Sequence, residues 1–340
     1  MRIDKSLLKL ENHFKRRKII YFFILIFLIY NINLRVLTSA DNIPAHYIPI
    51  SLIKEGNFDL NEYVDNLSKD TYLIGKENRR PYYMFYNNGY YLSNNSVIGG
   101  LFAYPIFLVA GLFFDLSFGL WIIPYLAKLI ATILCVFSSL FIFLSAKEIV
   151  NVRKSLFIAV IFSFGSNIWT LASQDLWTHT CSVFFLSMSI YFLAKALKEK
   201  EFIKYLGFSL SGAFMSRFSN IVIILFLTLY VIFYYKDYIK QFFVYALPIM
   251  SFFLAYILFY KSGISNLLYV MLITILLDTI LFFLFLFLCK FLRMFNRKKV
   301  FITILLLIIT VFTFLINLSL SSPIRIFISS NFYKYNSYLP

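Results

Sequence analysis

Charge is what this sequence lacks most. Only 14% of its 340 residues are Asp, Glu, Lys or Arg, where a soluble domain carries about a quarter. With 61% hydrophobic residues and a mean hydropathy of +0.79, that shortfall excludes an ordinary soluble globule. Acid is scarcer still, with 16 residues against 32 basic ones and a net charge of +16. Such a balance can signal nucleic acid, but the distribution argues otherwise. Basic residues collect before the first apolar run and in four connectors, around 147–154, 195–204, 236–240 and 290–299. That is the positive-inside pattern of a membrane protein, not the basic stripe of a nucleic-acid binder. Cysteine is scarce too. Cys135, Cys181 and Cys289 lie in or beside apolar runs with no CxxC and no metal-ligand spacing. This speaks against a disulfide framework and a zinc site. The period-2 alternation of a membrane β-barrel is missing as well.

What is present is a series of apolar runs near the roughly 20 residues that cross a bilayer. The fold class expected is an all-α polytopic membrane protein. Residues 1–18 form a cytoplasmic basic tail, and 19–37 form a first span retained in the chain. Residues 38–119 make one large outer loop. Further spans are expected at about 120–146, 155–172, 180–195, 205–216, 219–235, 242–260, 267–289 and 300–320, making nine. Residues 19–260 then form the transmembrane core, and 261–340 a C-terminal transmembrane hairpin with an outer tail. The segment 97–114 is apolar but interrupted by Gly99, Gly100, Pro105 and Gly111. A full crossing there would put every later basic connector on the wrong side. It is therefore read as a re-entrant or interfacial helix. The protein is expected in the cytoplasmic (inner) membrane, multi-pass, with its N-terminus in the cytoplasm.

Residues 38–96 of the first loop hold seven of the sixteen acids. Ser39 or Asp41 can cap a helix that Pro44 is suited to start. Gly56 is a natural stop, and Pro49 should bend the helix, leaving it along the surface. Asn88-Gly89, between two aromatic runs, signals a hairpin turn; an interfacial aromatic belt is the other reading.

Ionisable groups at the edge of a span are functional candidates. Asp41 is a carboxylate where the first span ends, placed for a general base or a cation ligand; a plain surface cap is the alternative. In the segment 172–179, Asp175 and His179 are four apart and would share a helix face, unless this is an ordinary polar turn. Arg217 lies amid about thirty apolar residues, where a guanidinium needs an anion or an interface, and it suits phosphate. Lys128, Arg79 and Arg80 are weaker phosphate candidates.

At these residues the chain resembles the GT-C membrane glycosyltransferases, most nearly the branch of protein O-mannosyltransferases and aminoarabinose transferases with their bacterial relatives. The resemblance runs over about 15–260 and rests on Asp41-Asn42, His46-Tyr47, Ser51-Leu52 and Gly56. It continues through Arg80-Pro81-Tyr82-Tyr83, the segment 97–114, Gln174-Asp175, His179 and Arg217. It implies a GT-C-like bundle with juxtamembrane helices in its first outer loop. It also implies inverting transfer of a sugar from a polyprenyl-phosphate donor to a lipid, glycan or protein acceptor on the outer face. Asp41, Asp175 and His179 would be catalytic. Arg217, Arg79, Arg80 and Lys128 would hold the donor phosphate. His46, Tyr47 and Gln174 would orient substrate. Many relatives carry a second acid where this chain has Asn42, so the resemblance implies no certain cofactor and leaves a divalent cation open but not favoured. The C-terminus is shorter than in larger members, which implies a compact or reduced member, or a fragment. Membrane lipids are the other expected partner, and nucleic acid is not one.

Three readings compete. A lipid-linked sugar transporter or flippase would place charged or broken helices at mid-bilayer in repeated halves, whereas here the polar residues gather at one face and no repeat stands out. An O-antigen-type ligase would carry its large loop late in the chain, not first. A non-catalytic GT-C homologue stays open because Asp41 has no acidic neighbour.

Overall fold

The computed structural model describes residues 19–69, 73–74 and 80–261. The expected spans 267–289 and 300–320, with Arg79 and Cys289, lie outside the described residues. The chain begins with α1 (Ile19–Asn31) and turns into α2 (Ile43–Lys54). The one-turn helix α3 (Val64–Leu67) follows. Two short strands, β1 (Leu73–Ile74) and β2 (Arg80–Pro81), pair antiparallel. Next come the hairpin strands β3 (Met84–Asn87) and β4 (Tyr90–Ser93). The rest is helical: α4 (Ile98–Ala110), α5 (Ile122–Ile149), α6 (Val152–Phe164), α7 (Thr178–Ala196), α8 (Ile203–Ser216), α9 (Ile221–Tyr234) and α10 (Ile239–Lys261).

The hairpin forms where the turn chemistry predicts. Asn88 and Gly89 both have positive φ, 50° and 90°, as a two-residue turn matched to strand twist requires. The register sets Tyr86 opposite Tyr91, with ring centroids 4.9 Å apart. The hairpin's far strand leads straight into α4.

α5 is the axis of the bundle. At 28 residues it is about 42 Å long at 1.5 Å per residue, more than the roughly 30 Å hydrocarbon thickness. α6 and α7 both pack on it; α8 packs on α7, and α10 on α8. Among the described residues, two stretches are long and apolar enough to cross a membrane, Ile122–Ile149 and Lys236–Ile257. α8 and α9 have 14 residues each, about 21 Å, so the expected spans there appear as short helices, and the described residues alone do not give nine crossings.

Buried serines join the helices at close range. Ser163 Oγ donates to Ser139 Oγ at 2.8 Å between α6 and α5, and Ser189 Oγ donates to Ser209 Oγ at 2.8 Å between α7 and α8. Tyr30 OH donates to the Ser163 carbonyl at 3.0 Å and ties α1 to α6. Small hydroxyl residues let apolar helices approach while satisfying their own polar atoms. Gly207 carries this further, because a Cβ there would overlap the Phe242 carbonyl oxygen of α10. Backbone cannot yield as a side-chain tip can, so Gly207→Val is expected to destabilise the α8–α10 pair by ~1–3 kcal/mol. A lowered thermal midpoint of the detergent-solubilised protein checks this, with Phe208→Leu on the more open face as the control.

Two local features frame the site. α2 is covered by protein: every residue from Pro44 to Ser51 is buried. It packs against α4 and α5, and its sequence is apolar nearly all round, so no solvent face is specified. The glycines and proline inside α4 do not interrupt the segment 97–114. α4 runs unbroken through Gly99, Gly100 and Pro105. A Cβ on Gly100 would stand 2.5 Å from Ile48 Cγ2, so the glycine is there for contact with α2, and tertiary packing overrides its low helix propensity. The helix is 13 residues, about 20 Å, too short for a straight crossing.

Candidate active site

The candidate residues come together at one end of the bundle, from three chain segments. The first is the link from α1 to α2. Neither Ser39 nor Asp41 caps α2; the N-cap position is Asn42. Its side chain is fully buried. Its Oδ1 accepts from the Ser39 N–H at 2.7 Å, and its Nδ2 donates to the Leu37 carbonyl at 3.3 Å. An amide is suited to this because it both donates and accepts inside one tight turn. With Asn42 turned inward, Asp41 is turned out and exposed. Its carbonyl accepts from Asn95 Nδ2 at 2.7 Å. Asp41, Ser93, Asn95, Ser96 and Thr178 line a small polar cleft.

The second segment, between α6 and α7, corrects the idea of a shared helix face. α7 starts only at Thr178, and Trp177 before it is extended, with φ −73° and ψ 154°. Asp175 and His179 therefore point different ways. Asp175 is fully buried. Its Oδ1 accepts from His46 Nε2 at 2.7 Å and from the Leu176 N–H at 2.6 Å. His46, on α2, is buried as well. Gln174 is spent nearby: its Oε1 accepts from Lys128 Nζ at 2.9 Å, and its Nε2 donates to the Trp169 carbonyl at 2.7 Å. Lys128 also donates to Asn33 Oδ1 at 3.2 Å and to the Arg35 carbonyl. Its ammonium thus binds the loop ends inside the protein.

The third segment is the break between α8 and α9. Arg217 is extended, with φ −151° and ψ 123°. Asn220 anchors the turn by donating to Ser182 Oγ at 2.8 Å and to the Ala213 carbonyl at 2.7 Å. The half-buried Arg217 donates from Nη1 to His179 Nδ1. A guanidinium has no acceptor to offer, so His179 Nδ1 must carry the lone pair and Nε2 the hydrogen. Trp177 stacks on His179, with centroids 6.3 Å apart and planes at 25°. Its indole Nε1–H is buried and has no partner among the described residues. The Asp41 charge acts on the His179 imidazole, and Thr178, beside His179, lines the Asp41 cleft.

Two sequence candidates point elsewhere. Tyr47 stacks on Phe118, with centroids 5.1 Å apart and planes at 17°, and on Tyr63 at 5.1 Å. Burial holds its phenol above the usual range, opposed by the Gly119 backbone contact. Arg80 donates from Nε to the Met84 carbonyl at 3.1 Å, inside the hairpin region. Asn95 was missed by the sequence reading; the polar run Ser93-Asn94-Asn95-Ser96, between a hairpin and an apolar helix, is the signal that marks it. Among the described residues no three His, Cys, Asp or Glu side chains are placed together to hold a metal.

The family described as dolichyl-phosphate-mannose-protein mannosyltransferase matches residues 101–260. The match starts inside α4 and ends in α10, so it takes in Asp175, His179 and Arg217 but not Asp41. It supports a glycosyltransferase of the GT-C type and, with the apolar helices, a membrane protein. No curated protein and no solved structure matches the chain.

Proposed function

We propose that this chain transfers a sugar from a polyprenyl-phosphate donor to a hydroxyl acceptor at the outer face of the cytoplasmic membrane. The observation that carries the proposal is the pairing of Arg217 with His179 at the same end of the bundle as the Asp41 cleft. One side of that mouth offers N–H groups to an anion, and the other offers a carboxylate to a hydroxyl.

In this reading Asp41 takes the proton of the acceptor hydroxyl, and the acceptor oxygen forms a bond to the anomeric carbon. The bond from that carbon to the phosphate oxygen breaks, and the electron pair leaves with the polyprenyl phosphate. Attack opposite the leaving group inverts the anomeric centre. Arg217 has N–H groups beyond the one given to His179, and a guanidinium fork matches phosphate oxygens. His179 Nε2–H is a further donor for the charge that develops on the leaving group. Asn95, Ser93, Ser96 and Thr178 offer neutral polar groups to the acceptor or the sugar. The lipid tail would lie along the apolar helices of the 19–260 core.

Purified protein given a radiolabelled polyprenyl-phosphate sugar and membrane extract is expected to move label to an acceptor. Failure with every donor would favour a transporter or a non-catalytic homologue. A topology reporter fused after residue 150 is expected to report cytoplasm. An outside signal would put Asp41, His179 and Arg217 on the wrong side for this reading.

A further inference from the structure

We infer that Asp175 and His46 do not touch substrate but form a buried pin that holds the two halves of the site in register. This rests on the function proposed above, since the site it positions is that of Asp41, His179 and Arg217.

The pin joins residues 129 apart in sequence. His46 lies one turn into α2, five positions after Asp41. Asp175 lies four positions before His179. The two side chains meet at 2.7 Å with almost no exposure, 3% for His46 and 0% for Asp175. A carboxylate so enclosed cannot reach a hydroxyl in the Asp41 cleft. The surrounding bonds run the same way. The Leu37 N–H donates to the Gln174 carbonyl at 3.2 Å, so the 33–46 and 173–180 segments are also joined through the backbone. Lys128 reaches Asn33, the Arg35 carbonyl and Gln174 at once, and its charge acts on Asp175. Thr180 Oγ1 donates to the Ala172 carbonyl at 2.7 Å and to the Asp175 carbonyl at 3.3 Å, which fixes the entry to α7 just after His179. The His46, Leu37 and Lys128 contacts tie the acid-bearing loop to the loop that presents the N–H donors, and the Thr180 bonds brace that second loop from within. Asp175 Oδ2 is buried and has no hydrogen-bond partner among the described residues. The pin therefore uses a single carboxyl oxygen as acceptor, which a neutral amide can also supply.

That last point separates a positioning role from a catalytic one. Asp175→Asn keeps an acceptor oxygen for His46 and for the Leu176 N–H, and is expected to retain transfer within about fivefold of wild type. Asp175→Ala removes it and is expected to cost about 100-fold, the scale of an ångström-level misplacement. The loss should fall in kcat, with the KM for donor changed less than threefold. His46→Gln, whose Nε2 reaches a similar position, should recover most of what His46→Ala loses. Hydrogen exchange supplies a readout that needs no turnover. In Asp175→Ala the amides of 37–46 and 174–180 should gain exchange together, and in Asp175→Asn neither should. The inference is overturned if Asp175→Asn is as dead as Asp41→Asn while wild type transfers. It is also overturned if Asp175→Ala leaves both kcat and the exchange of 37–46 unchanged. If wild type itself transfers nothing, the function proposal fails, and the coupled exchange still decides whether the pin exists.

Discussion

Asp41→Asn is expected to lower the rate of sugar transfer by ~10²–10⁴-fold, the usual worth of a positioned general base. The substitution should spare the fold for a specific reason. Asp41 is exposed, and the bond it makes to Asn95 uses its backbone carbonyl. The turn before α2 is held by Asn42, not by Asp41. An amide in place of the carboxylate therefore keeps the shape of the cleft and removes only the proton acceptor. Donor affinity should change little, because the groups offered to phosphate lie on the 177–179 and 217 segments. A loss that appeared mainly in the KM for donor would contradict this division of labour.

Arg217→Gln is expected to cost ~10²–10³-fold in kcat/KM, the scale seen when a preorganised donor to a developing oxyanion is removed. Two effects combine. The phosphate loses its only guanidinium fork on this turn, and His179 loses the donor that holds its Nδ1 as an acceptor. With that donor gone, no bond from Arg217 fixes Nδ1 as the acceptor, so the Nε2–H tautomer is held less firmly. Arg217→Lys should recover part of the loss, since it restores charge without the planar fork. The turn itself should survive, because Asn220 anchors it through Ser182 and the Ala213 carbonyl. Equal activity in Arg217→Gln and wild type would remove the phosphate role from this residue.

The sequence made some of this visible and hid the rest for physical reasons. The hairpin could be read because Asn88-Gly89 accepts positive φ at low cost, a local matter. The stop of α2 at Gly56, with φ +70°, is likewise local. The burial of α2 was not legible: a helix apolar on nearly every side gives no periodic signal to say which face is covered. Gly99 and Gly100 look like breakers in isolation, and only the approach of Ala45 and Leu176 to the first and of Ile48 to the second makes them packing residues. Asp175 and His179 have helical spacing, yet one extended residue, Trp177, sends them to different partners. Arg217 could be singled out because a cation among apolar residues needs a reason, but its partner across 38 residues could not. Asn95 was passed over because its contact with the Asp41 carbonyl spans 54 residues and leaves no local trace.

The role of Lys128 changes for the same reason. In sequence it is a charge in an apolar helix, and phosphate is a natural guess. In the fold three oxygens from two loops converge on its ammonium, and it joins the segments that carry the candidate site.

The measurement that bears most directly on the central claim is label transfer from a polyprenyl-phosphate sugar by purified protein, with wild type, Asp41→Asn and Asp175→Asn run side by side. The account predicts transfer by wild type, release of polyprenyl phosphate in equal amount, near-wild-type transfer by Asp175→Asn and almost none by Asp41→Asn. Equal transfer by wild type and Asp41→Asn would contradict it.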